Sequence, residues 1–114
     1  ILLLFGALAI VYAWATPVFE ASDELWHFGM VEYIARTGQL PIQDPDTPTP
    51  WEQEGSQPPL YYLLAAPIYR ASGGSLLALR LFSALLGSGI IVAVYSIGRA
   101  ISRVRLMFHC ERTR

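Results

Sequence analysis

The run Leu81-Phe82-Ser83-Ala84-Leu85-Leu86-Gly87-Ser88-Gly89-Ile90-Ile91-Val92-Ala93-Val94-Tyr95-Ser96-Ile97-Gly98-Arg99-Ala100-Ile101 carries a single charge, on Arg99. A helix needs about 20 mostly apolar residues to cross a bilayer, and this run has that length and composition. Its small cluster Gly87-Ser88-Gly89 would let another helix approach closely. Arg99 stands near the end of the run, and Arg103, Arg105, Arg112 and Arg114 follow. By the positive-inside rule such a basic end lies in the cytoplasm, so whatever precedes the span lies outside.

The composition agrees with a membrane protein. Of 114 residues, 54% are hydrophobic and 15% charged, and the mean hydropathy is +0.40. A soluble domain is about 25% charged. The net charge is -1, which gives no footing for a nucleic-acid partner, and the chain has no lysine. Eight of the nine acidic residues lie between Glu20 and Glu54. One cysteine, Cys110, excludes an internal disulfide, and neither CxxC nor a Cys/His zinc spacing occurs. There is no internal repeat, Gly-rich phosphate loop, GxSxG or HExxH. The sequence opens on Ile1 inside an apolar run, and it is read as a fragment of a longer protein.

Residues 1–19 are apolar or small until Thr16-Pro17 and predict a first transmembrane helix, truncated at its N-terminus. A signal peptide is the rival, because Ala13-Trp14-Ala15 fits a small-x-small cleavage site. Next comes Glu20-Ala21-Ser22-Asp23-Glu24-Leu25-Trp26-His27. Ser22 suits an N-cap, Asp23 and Glu24 complement the helix dipole, and Gly38 suits the left-handed stop, so a helix is predicted over about 22–37. It is apolar on more than one side and too short to cross, which suits an interfacial position. Residues 40–59 hold Pro41, Pro45, Pro48, Pro50, Pro58 and Pro59 with Asp44, Asp46, Glu52 and Glu54, and read as a loop anchored by Trp51. A second juxtamembrane helix is predicted over 59–71, with Tyr61, Tyr62 and Tyr69 at a headgroup boundary. Gly73-Gly74-Ser75 breaks it.

The fold class is therefore all-α membrane. Two transmembrane helices, 1–19 and 76–101, are joined by an extracytoplasmic loop, 20–75, and followed by a cytoplasmic basic tail, 102–114, whose last residues show no periodicity.

Asp23 and Glu24 admit three roles. They can cap the helix and nothing more. They can join His27 on one helix face to bind a divalent metal, although two carboxylates and one imidazole make an incomplete ligand set. Or one of them can be a general base at the membrane surface, its pKa raised by partial burial and by its acidic neighbour. Adjacent helical residues point about 100° apart, so the other would position substrate or hold backbone.

Asp-Glu after the first span, Gly38-Gln39-Leu40-Pro41, Gln57-Pro58-Pro59-Leu60-Tyr61-Tyr62 and Leu79-Arg80-Leu81-Phe82-Ser83-Ala84-Leu85-Leu86-Gly87 together resemble the first extracytoplasmic loop and second span of GT-C fold membrane glycosyltransferases. These are the bacterial relatives of protein O-mannosyltransferases and of the aminoarabinose lipid A transferase. The resemblance covers about residues 15–101. It implies an integral protein of the bacterial plasma membrane that transfers a sugar from a polyprenyl-phosphate donor to a hydroxyl of a lipid or protein acceptor, with inversion. Asp23 matches the acidic residue that serves as base or binds the acceptor, and Glu24 matches its partner. His27 and Tyr61 are expected to position substrate, and Arg80, then Arg70, to meet the leaving phosphate. Snorkelling to headgroups would equally explain both arginines. Gln57 stands where several members carry a basic residue. No cofactor is expected, a divalent metal is possible but not favoured, and the fragment alone should be inactive. The rival from another class is a non-enzymatic polytopic membrane protein, such as a transporter or flippase segment. A secreted or anchored protein with a cleaved signal peptide is third.

Overall fold

The computed structural model describes residues 1–21, 23–42 and 57–112, with side chains as far as residue 102. It is all-helical, in the order α1 (Leu2–Ala15), α2 (Glu24–Thr37), α3 (Leu60–Ala71) and α4 (Leu76–Arg112). The expected cap Ser22 and the acidic proline-rich stretch with Trp51 lie outside the described residues.

The two short helices match their sequence signals. Asp23 occupies the N-cap position of α2, and Gly38 stops that helix at φ 71°, ψ 10°, its N–H donating to the Ile34 carbonyl. Pro59 precedes the first residue of α3. Gly73 and Gly74 then adopt φ 66° and 83°, and the Gly74 N–H donates to the Tyr69 carbonyl at 2.9 Å. Ser75 Oγ accepts the Ala78 N–H at 3.3 Å and so caps α4.

Two stretches differ in extent from their sequence reading. The apolar stretch 1–19 is not one continuous helix. α1 has 14 residues and ends at Ala15, with Thr16 extended at φ -74°, ψ 122°, because the residue before a proline is driven out of the helical region. Among the described residues one helix, not two, is long and apolar enough to cross a membrane. It is the Leu76–Ser102 part of α4, 27 residues with a mean hydropathy of 2.1. The other concerns the residues beyond 102, expected as a cytoplasmic basic tail. The helix continues to Arg112, since no glycine or proline follows Gly98 and arginine, leucine and methionine are good helix formers.

The core lies where α2 crosses α3. Met30, Val31, Ile34 and Ala35 form one stripe of α2 and meet Tyr62, Ala65 and Ala66 of α3, with Leu79 of α4 behind them. The spacings are those of a single helix face, and Ala65 and Ala66 let the backbones come close. Phe28 joins this core to its rim, edge-on to Tyr69 at 5.5 Å and to Phe19 at 5.4 Å.

α1 lies against α4. Gly87 is the point of close approach, because a Cβ there would stand 3.0 Å from Phe5 Cζ, whereas one on Gly89 would meet nothing within 4 Å. Away from this seam both helices are bare and apolar, with Leu3 91%, Trp14 81% and Ile90 65% exposed.

The α3–α4 turn supplies a first prediction. A Cβ on Gly74 would sit 3.2 Å from the Tyr69 hydroxyl, at a φ of +83°. Gly74→Ala is expected to cost about 1–2 kcal/mol, from left-handed backbone strain and a displaced tyrosine. Thermal unfolding of the detergent-solubilised protein measures it, and a midpoint equal to wild type contradicts it.

Candidate functional site

The site is built at the junction of all four helices, where α1 ends, α2 begins and the first turns of α3 and α4 face them. Its centre is Arg80, one turn into α4. A guanidinium has five N–H donors in a fixed fork, and Arg80 commits every one. Nε donates to Glu24 Oε1 at 2.5 Å. Nη1 donates to the carbonyls of Ala13 at 2.9 Å and Thr16 at 2.7 Å. Nη2 donates to the Pro17 carbonyl at 2.9 Å and to Glu24 Oε2 at 2.7 Å. A helix leaves its last carbonyls without intrahelical partners and carries partial negative charge there. Arg80 meets both needs for α1, and Glu24 neutralises the cation in a bidentate pair.

Glu24 holds backbone as well as Arg80. Its Oε2 accepts the Phe19 N–H at 3.0 Å, which fixes Phe19 at a φ of 61°, a left-handed conformation uncommon outside glycine. Hydrogen bonds from Arg80 hold the Glu24 carboxyl below its ordinary value of 4.5, against the upward push of burial, and the Arg80 charge and the Phe19 N–H add to the lowering. For this carboxylate the shift runs opposite to the rise expected from burial and an acidic neighbour.

The sign fixes a pH dependence. Because the folded pKa of Glu24 lies below its unfolded value, the pair contributes stability fully above about pH 4.5 and loses it as pH falls through the folded value. The thermal midpoint of wild type is therefore expected to fall on acidification below pH 4.5 more steeply than that of Glu24→Gln. Parallel acid limbs for the two proteins would contradict this.

Asp23, next in sequence, is placed differently. It is exposed, its carbonyl accepts the Trp26 and His27 N–H groups at 3.1 Å each, and it lines a cavity of about 650 Å³. That volume lies in the range of about 300–1,000 Å³ that holds small ligands. One wall is polar and aromatic: Asp23, His27, Gln57, Tyr61 and Tyr62. α1 and α4 line the cavity with Ala9, Ala13, Leu79 and Ala84, and also with Tyr12, Arg80 and Ser83.

The polar wall is tied together across α2 and α3. His27 Nδ1 and the Tyr62 hydroxyl are hydrogen-bonded at 2.8 Å, their rings stacked at 5.9 Å, and the Tyr62 hydroxyl also reaches Gln57 Oε1 at 3.5 Å. Tyr61 bonds Ser83 Oγ at 2.8 Å. Since Ser83 donates to the Leu79 carbonyl at 3.0 Å, the Tyr61 hydroxyl is the donor of that pair.

Asp23, Glu24, His27, Tyr61 and Arg80 thus come together around one cavity. Arg70 does not join them. Its Nε donates to the Ala35 carbonyl in the last turn of α2, a helix C-cap made by a side chain. Tyr62, expected only at a headgroup boundary, is buried instead, and its hydroxyl joins two of the cavity's polar groups. The available signal was its 2% exposure's counterpart in sequence, a tyrosine on the face of Ala65 and Ala66, since a buried tyrosine hydroxyl needs a partner. Among the described residues no group of three or more His, Cys, Asp or Glu side chains is placed to hold a metal ion. Comparison with protein-family models, with curated proteins and with solved structures gave no match.

Proposed function

We propose that the chain is the N-terminal part of a GT-C-type membrane glycosyltransferase, in which the cavity beside Asp23 receives the acceptor hydroxyl. The observation that carries this reading is the grouping of Asp23, His27, Tyr61 and Tyr62 around one cavity that α1 and α4 also line. A cavity lined by both polar and apolar groups suits an amphipathic substrate, and a carboxylate there suits proton removal from a hydroxyl.

In this reading α1 and α4 enter the bacterial plasma membrane, the 20–75 segment lies outside it, and membrane lipids and further helices cover the bare faces of α1 and α4. The Asp23 carboxylate takes the acceptor's hydroxyl proton as the acceptor oxygen bonds to the anomeric carbon. The bond from that carbon to the phosphate oxygen breaks, polyprenyl phosphate leaves with the electron pair, and the anomeric configuration inverts. Other parts of the full-length protein meet the charge on the leaving phosphate, because Arg80 has its donors on Glu24 and on the end of α1.

The test is transfer itself. Full-length protein in phospholipid vesicles, given a radiolabelled polyprenyl-phosphate sugar, is expected to move the label to an acceptor, and Asp23→Asn is expected to stop it. Transfer by Asp23→Asn at the wild-type rate would defeat the assignment.

A further inference from the structure

We infer that Arg80 is a positioning residue, a clamp that joins the C-terminus of α1 to Glu24 and so sets where Asp23 stands on the cavity wall, and that it is not a ligand for an anionic substrate group. Its consequence for transfer rests on the function proposed above; the clamp itself does not.

Three observations carry it. The first is the commitment of every Arg80 donor, three to main-chain carbonyls of residues 13, 16 and 17 and two to one carboxylate. A phosphate could bind Arg80 only by displacing groups that have no other cation there. The second is burial: the Arg80 and Glu24 side chains are 13% and 14% exposed, unlike Arg36, at 72% beside Glu32. A snorkelling arginine would keep its head in water or among headgroups. The third is a further bond at the same carboxylate, where Glu24 Oε2, bound by Arg80 Nη2, also accepts the Phe19 N–H. The link between α1 and α2 is thereby held at Thr16, Pro17 and Phe19, the last in a left-handed conformation, four residues ahead of Asp23.

The geometry also explains why lysine cannot replace arginine here. An ammonium is one point with three donors, while the site asks for a planar fork that spans a carboxylate and a helix end together. Charge alone does not restore the clamp.

Arg80→Lys and Glu24→Gln in the full-length protein test this, with hydrogen exchange and kinetics as separate readouts. The amide of Phe19 should exchange about tenfold faster in each variant than in wild type. With a polyprenyl-phosphate sugar as donor, kcat per folded enzyme should fall about a hundredfold in Arg80→Lys, because a misplaced base costs rate, while the donor KM stays within about twofold. A donor KM raised about tenfold with kcat kept would make Arg80 an anion ligand and overturn the inference. So would unchanged exchange at Phe19, or an unchanged kcat per folded molecule. Should Arg80→Lys fold poorly, the doubly neutral Glu24→Gln/Arg80→Gln protein, which leaves no buried charge unpaired, keeps both readouts accessible. If wild type transfers no sugar, the proposed function fails, and exchange at Phe19 alone decides for or against the clamp.

Discussion

Arg80→Ala is expected to destabilise the protein by about 3 kcal/mol and to free α1 from the other helices. Removing one member of a buried ion pair leaves the other without a partner, and here the orphan is the Glu24 carboxylate, 14% exposed. Three main-chain carbonyls lose their donor at the same time. The low end of the usual 3–5 kcal/mol is appropriate, because Glu24 borders the cavity and water entering there would solvate part of the charge. Such a loss exceeds that expected of Gly74→Ala, which strains one turn and one side chain. Thermal or denaturant unfolding in detergent, followed by near-ultraviolet signals of Trp14 and Trp26, measures it. A change within about 0.5 kcal/mol would mean that the pair behaves as an exposed one and that α1 is held by its apolar seam. A double-mutant cycle with Glu24→Gln should show strong coupling, since either single change strands a group that the double change removes.

What the sequence made visible, and what it hid, follows the range of the interactions concerned. α2 and α3 were legible because their signals are local: a left-handed stop at Gly38, a proline before α3, and apolar residues recurring on a helix face. The length of α1 was misread from hydropathy, which runs on through Val18 and Phe19, whereas the helix obeys the backbone restriction set by Pro17. Gly87 and Gly89 look alike as small residues, yet only Gly87 meets Phe5, and nothing in local sequence tells which glycine faces a neighbour.

The site divides in the same way. Asp23 and His27 are four residues apart on one helix, so their shared wall could be read from spacing. Arg80 could not be read so, because its partners lie 56 to 67 residues away. An arginine near the start of an apolar helix is compatible with snorkelling, phosphate binding or helix capping, and only the three-dimensional position of the α1 terminus selects the last. Tyr61 and Tyr62 show a further reason. Neighbours on a helix point in different directions, and one hydroxyl reaches α4 at Ser83 while the other reaches α2 at His27.

The same separation of neighbours gives the second large effect. Asp23→Asn is expected to lower transfer by about 10²–10⁴-fold, the usual contribution of a positioned general base. Asparagine keeps the shape of aspartate and its aptitude for a helix N-cap, while the change removes proton affinity and charge. Lost attraction to the α2 dipole contributes about 0.3–1 kcal/mol to the cost in stability. Glu24→Gln, one residue on, should show the reverse balance. Its neutral amide cannot sustain the bidentate pair with Arg80, so stability falls first and rate falls through misplacement of Asp23. Rate per folded molecule, measured beside unfolding for both variants, separates the roles. If Asp23→Asn lost stability and kept its rate while Glu24→Gln did the opposite, the base would be Glu24, and a carboxylate bound to Arg80 would have to leave that ion pair to accept a proton. Arg80 holds the Glu24 carboxyl below its ordinary value, so a base at Glu24 would first have to give up the clamp.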